Sequence, residues 1–177
     1  HKLKGDMRET AEVKRLLDSC FFDVVCDFIC YNGEHARSDI EIFQDKVKHF
    51  FFISSESVYK RDPLVDTEFY TEDSEKYSAD CGCEYIIGKL EAEQVFTDAY
   101  YQNGFPVTIV RPSYTYDTIF PISIGHNCFT APELILKGYP LLIAGDGENQ
   151  WSFTHSSDFA EAFIGLAENR ASIGTAF

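Results

Sequence analysis

Four short apolar runs, set apart by helical or polar stretches, limit this chain's fold more than any other feature. They are FDVVCDFI (22–29), KHFFFISS (48–55), PVTIVRP (106–112) and PLLIAG (140–145). None alternates apolar with polar residues, as a strand with one wet face does. Near-continuous β-branched and aromatic runs of this length suit strands covered on both faces, the situation inside a parallel sheet. The segments between them supply the covering helices. TAEVKRLLDS (10–19) places Val13, Leu16 and Leu17 at helical spacing, with Thr10 as the expected N-cap. EHARSDIEIFQDKV reads as helix. So does a stretch from about 84 to 102, which the Asn103-Gly104 pair stops. Residues 127–138 read as a further helix ending at Gly138, and 157–169 as a last one capped by Ser157 or Asp158. Strand and helix in alternation predict an α/β fold, a doubly wound parallel sheet. Ligands in such sheets sit at the carboxyl ends of the strands.

The chain's 177 residues, 45% of them hydrophobic, are enough for a domain with a real core. Its net charge of −14 disfavours a nucleic-acid partner, because such partners select basic faces. The acidity reads as a solubility feature, and the run DTEFYTEDSEKYSAD (66–80) as an exposed loop. No apolar run reaches the ~18 residues that a membrane span needs, and no secretory signal opens the chain. A cytoplasmic protein is expected. Six cysteines are present, but the one short pair, Cys81 and Cys83, lacks a second pair at zinc-site spacing. Buried or free thiols are expected, with no metal and no disulfide.

The stretch YIIGK (85–89) sets Tyr85 four residues before Lys89, on one face of a helix. In a chain with 10 tyrosines that spacing arises by chance about half the time. Its context adds weight. The run ISSESVY ends a strand and places Ser54, Ser55, Glu56 and Ser57 where open α/β folds build their sites. A serine hydroxyl there can hold a substrate oxygen. A cation beside a phenol favours the phenolate. The three together can move a proton on or off a substrate hydroxyl. No GxGxxG or GxxGxxG turn, which cradles a dinucleotide pyrophosphate, occurs in the chain.

The ordered set of KGDMRE, FDVVCDFI, ISSESVY, YIIGKLEAE, VTIVRPSYTYD and IAGDGENQWSFTHSSDFAEAF resembles the NAD-dependent epimerase/dehydratase family of the extended short-chain dehydrogenase/reductase superfamily. The resemblance implies a Rossmann-like doubly wound parallel sheet with a small C-terminal substrate-binding portion. On that view residues 1–112 are a partial NAD(P)-binding domain lacking its first βαβ unit. Residues 113–177 are the substrate-binding portion, interleaved with the last Rossmann elements and incomplete at the C-terminus. The resemblance implies NAD or NADP as cofactor, a sugar-like small-molecule substrate and a possible homodimer. Ser55 would bind the reacting oxygen, Tyr85 would be the acid/base, and Lys89 would hold the nicotinamide ribose. Asp6 would contact the adenine. Ile29, Cys30 and Ser54 would line the cofactor, with Pro112 and Ser113 near the nicotinamide. Glu56, Ser57 and Trp151 would face substrate, and His155 and Asp158 match a family segment.

Two departures bear on substrate. Where nucleotide-sugar enzymes of the family carry an arginine for the diphosphate, this chain has Trp151, an indole with a single donor. Where sugar dehydratases place two acids after the catalytic serine or threonine, it has Glu56 and then Ser57, which argues against 4,6-dehydration. An epimerase or reductase is therefore expected. The alternative is a catalytically weak or inactive NAD(P)-binding regulatory protein of the same fold.

Overall fold

The computed structural model describes residues 3–61, 69–119, 129–143, 145–148 and 151–177. Three of the expected strands form one parallel sheet in the order β1-β2-β3: β1 Val25–Asp27, β2 Phe50–Ile53 and β3 Val107–Val110. Val25 registers with Phe50, and Phe50 with Val107. Every residue of β2 and β3 is buried, as expected of strands covered on both faces. Parallel neighbours need a crossover. Helix α2, Gly33–Phe43, makes the one from β1 to β2, and helix α3, Glu84–Asn103, the one from β2 to β3.

The pleat sorts the aromatic run of β2. Phe50 and Phe52 point into the core shared with Ala36, Ile42, Ala92, Phe96 and Phe105. Phe96 stacks within 5.4 Å of Phe50 and 5.0 Å of Phe52. Phe51 takes the opposite side, with the His49 ring 4.2 Å away. The helix ends are chemically specified. Asn32 Oδ1 accepts the His35 amide and starts α2. Gly104, at φ 67°, adopts the left-handed conformation that ends α3.

The contacts divide the chain into two compact units. The first joins His1–Arg111 to Gly165–Phe177, and the second is Pro112–Ile164. In the first, Ala176 bridges beside Ile109 of β3, and the Phe177 carbonyl accepts the Arg111 amide at 2.7 Å. The second contains a parallel pair, β4 Tyr114–Tyr116 with β5 Phe153–His155, helix α4 Thr130–Leu136, and most of helix α5, Ser156–Glu168.

Several expectations change in detail. Helix α1 spans Thr10–Leu16 with Glu9 at the cap position, so Thr10 lies inside it, and its hydroxyl bonds Ser38. Ser157 and Asp158 fall within α5, whose first turn is met by His155: its Nδ1 accepts the Ser157 amide at 3.3 Å. The expected strand at 140–145 does not form in the described residues 140–143 and 145. Leu142 and Ile143 are 77% and 64% exposed, and an apolar run becomes a strand only when a neighbour takes up its backbone groups. Residues 127 and 128 of the expected 127–138 helix, and 66–68 of the acidic loop, lie outside the described residues. The five described cysteines are free thiols, and Cys128 is outside that set. No helix among the described residues is long and apolar enough to cross a membrane.

Candidate active site

The carboxyl ends of β1 and β2 converge on one lysine. Lys89 lies in the second turn of α3, is 2% exposed, and donates from Nζ to the carbonyls of Cys30 and Ile53, each at 2.7 Å. The rings of Tyr31 and Phe52 flank the ammonium with centroids 5.0 and 5.1 Å away. Burial lowers the Lys89 pKa from its ordinary value, against opposition from Cys30, Asp27 and Glu93. Tyr85, one turn earlier and 46% exposed, places its ring centroid 5.9 Å from the same Nζ.

Gly88 explains how α3 comes so close. A Cβ there would lie 2.3 Å from the Tyr31 carbonyl oxygen and 3.4 Å from the Tyr31 carbonyl carbon. Only a glycine lets the helix backbone meet the loop after β1, and that approach brings Lys89 to the Cys30 carbonyl.

Ser54 and Ser55 follow β2 directly. Ser54 extends the ladder through its amide to the Val110 carbonyl at 2.7 Å, and its Oγ donates to Glu93 Oε1 at 2.7 Å. Ser55 is half-buried, and its Oγ accepts the Ser57 amide at 3.2 Å, capping a single 3-10 turn over Glu56–Val58. That turn packs against α3, the helix of Tyr85 and Lys89. Glu56 pairs with Arg61 at 2.8 Å.

The remaining expected site residues fall as follows. Asp6 is exposed, and its carboxylate accepts the Arg8 amide at 2.9 Å. The Ile29 amide donates to Asp27 Oδ1 at 2.6 Å, while Cys30 is wholly buried and contributes its carbonyl to Lys89. Pro112, Ser113 and Trp151 belong to the second unit. There Ser113 Oγ and Thr154 Oγ1 are 2.9 Å apart, and Trp151 lies with Tyr114 and Phe153 in a cluster of rings at 5.4 and 6.3 Å.

Two buried polar clusters escaped the sequence reading. In the first, Arg111 Nε and Nη2 hold both oxygens of Glu93 at 2.8 and 2.9 Å, with both side chains 4% exposed. Its only advance signal was the second four-residue step, Lys89 to Glu93, with an arginine closing an apolar strand. In the second, Asp27 and the fully buried Asp39 face Arg8, whose guanidinium stands 3.5 and 3.9 Å from them. Burial, and then the neighbouring Asp27 carboxyl, push Asp39 up to about 8, with Arg8 and Cys30 opposing. No spacing rule joins residues 8, 27 and 39.

The family model described as NAD dependent epimerase/dehydratase matches residues 2–176. Among solved structures, a dTDP-glucose 4,6-dehydratase from Bacillus anthracis in complex with NAD superposes with a TM-score of 0.78 at 19% identity, covering 99% of this chain and 56% of its own. A UDP-glucuronic acid 4-epimerase from Bacillus cereus, in complex with UDP-glucuronic acid and NAD, gives 0.76 at 20%, covering 99% and 58%. Pal from Bacillus thuringiensis gives 0.76 at 21%, covering 99% and 60%. No curated protein matches the chain. The likeness to these structures is one of fold, a Rossmann-like parallel α/β architecture, and the chain spans less than two thirds of the length of each. With its family model matched over almost every residue, the chain belongs to the NAD dependent epimerase/dehydratase family.

Proposed function

We propose that this chain carries the proton-transfer half of an NAD(P)-dependent epimerase or reductase site acting on a sugar-like hydroxyl. One observation carries the reading: Tyr85 and Lys89 stand one turn apart on α3, and Lys89 is fixed by carbonyls from the ends of two neighbouring strands. An ammonium has three donors. Two are committed to Cys30 and Ile53, and among the described residues the third has no hydrogen-bond acceptor, which suits a ribose hydroxyl. A bound nicotinamide would supply the hydride acceptor.

The chain's own residues supply the rest. Tyr85 is exposed enough to reach a substrate and takes the proton from the hydroxyl being oxidised. Lys89 sets its ammonium nitrogen 5.9 Å from the centre of the Tyr85 ring, beside the group that exchanges the proton. Ser55, held by the turn that packs on α3, binds the same substrate oxygen and orients it. Ser54 braces the strand end, while Asp6, Ile29 and Cys30 line the cofactor's path. Glu56 and Ser57 serve substrate, while Pro112, Ser113 and Trp151 belong to the second unit and take their cofactor and substrate roles from the family resemblance alone. Trp151, standing among rings, favours a substrate recognised by its ring rather than by a diphosphate. The protein is then cytoplasmic, with a small-molecule substrate.

The test is titration with NAD and NADP, followed by addition of UDP-glucuronic acid, dTDP-glucose and simple sugars as probes while absorbance at 340 nm is followed. A rise supports the reading: one that decays without release of cofactor marks an epimerase, and a continuing one marks net redox turnover. Cofactor binding with no absorbance change on any probe contradicts it and favours a binding protein of the same fold.

A further inference from the structure

We propose that Glu93 is a positioning residue of this site, a carboxylate that registers α3 against the carboxyl edge of the sheet. The inference rests on the functional reading above, but its geometry stands by itself. Tyr85, Lys89 and Glu93 follow one another at four-residue steps on α3. The first reaches solvent, the second grips the ends of β1 and β2, and the third is 3% exposed beneath them.

Glu93 gathers donors from three other parts of the chain. Ser54 Oγ, from the residue after β2, donates to Oε1 at 2.7 Å. Arg111, from the residue after β3, donates Nε to Oε1 at 2.8 Å and Nη2 to Oε2 at 2.9 Å. Lys76, from the loop before α3, donates to Oε2 at 3.1 Å. Arg111 in turn donates Nη1 to the Tyr59 hydroxyl at 2.8 Å, tying down the chain just beyond the Ser55 turn. Bidentate, charge-assisted bonds of this kind fix orientation as well as distance. Burial alone pushes the Glu93 pKa up, yet Arg111, Ser54 and Lys76 outweigh it and hold the group below its ordinary value. It therefore stays charged across neutral pH.

A carboxylate so held sets two things. It fixes how far α3 lies along the sheet, and with it the reach of Lys89 to the Cys30 and Ile53 carbonyls. It also fixes the hydroxyl rotor of Ser54, and with it the backbone that presents Ser55. A buried pair kept only for stability can be exchanged for apolar residues of like volume with little loss. A positioning pair exchanged in this way keeps most of its stability but loses the geometry it set, because Ser54 loses its acceptor.

The test is the double variant Glu93→Met/Arg111→Met, which leaves net charge unchanged, beside Glu93→Gln, the parent, and Tyr85→Phe as the reference for the chemistry. Three quantities are read: thermal midpoint, the pH titration of the Lys89 ammonium by 13C NMR (assigned by its loss in Lys89→Met), and kcat and KM on any probe the parent turns over. The expectation is a double variant that folds with a near-parental midpoint while its Lys89 titration moves toward that of an exposed lysine. Its kcat should fall on the order of 10²-fold with KM nearly unchanged, the scale of a misplacement of about 1 Å. A double variant that matches the parent in Lys89 titration overturns the proposal. If Tyr85→Phe keeps parental turnover, or the parent turns over no probe, the functional reading fails instead. The Lys89 titration still decides the role of Glu93.

Discussion

Asp39 is a fully buried acid facing a second acid and one guanidinium, so its proton is part of the fold. Its folded pKa of about 8 lies above the ordinary 3.8. Between those values the native state keeps a proton that the unfolded chain has released. Stability from this group is therefore complete below about 3.8, declines as pH rises through that window, and is lost beyond about 8. Asp39→Asn, which can donate to Asp27 without the proton, should flatten the parent's decline in thermal midpoint between pH 5 and 8. An unchanged slope would count against a shared proton. At this scale the sequence was legible where a candidate residue has a local signature. Ser55, Tyr85 and Lys89 stand out by spacing and by the strand end before them. Asp39, Arg8 and Glu93 do not, because a buried charge is justified only by partners far along the chain: 19 residues from Arg8 to Asp27, 18 from Glu93 to Arg111.

Helix α3 shows how one element converts packing into a site. It ends where Asn103-Gly104 said it would, and its buried face carries Ala92, Phe96 and Ala99 into the core. Gly88 lay in plain view inside YIIGK, yet a mid-helix glycine reads as a weak point until the opposing Tyr31 carbonyl is known. Gly88→Ala would raise helix propensity and still destabilise. The added methyl meets backbone, which yields only by separating α3 from the loop after β1. The expected cost is about 1–3 kcal/mol, or roughly 2–4 °C in thermal midpoint per kcal/mol, together with weaker cofactor binding through Lys89. A calorimetric midpoint equal to or above the parent's would show that the loop moves freely. Strands were legible by the same logic and failed by it too. FDVVCDFI, KHFFFISS and PVTIVRP have one another to pair with. PLLIAG matched them in composition but is exposed through 142 and 143. The pair that does form, β4 with β5, consists of three-residue strands, Tyr-Thr-Tyr and Phe-Thr-His, too short to register as periodic runs.

At the scale of the molecule, the order of elements placed the chain in its family before any single motif could. The parallel sheet sets the carboxyl ends of β1 and β2 side by side, and α3 brings Lys89 to them. Substrate choice was less legible: Trp151, the residue proposed to bear on it, lies in a second unit whose strands the sequence did not announce. On the proposed reading Tyr85 moves the proton while Lys89 and its neighbours hold the cofactor. Tyr85→Phe tests it most directly, because the change removes one hydroxyl and leaves the ring beside Lys89. NAD affinity by calorimetry should stay within about twofold of the parent. The rate of the 340 nm change on an active probe should fall by on the order of 10²–10⁴. A variant that binds cofactor and still turns over at the parent's rate would contradict a proton-transfer role for Tyr85.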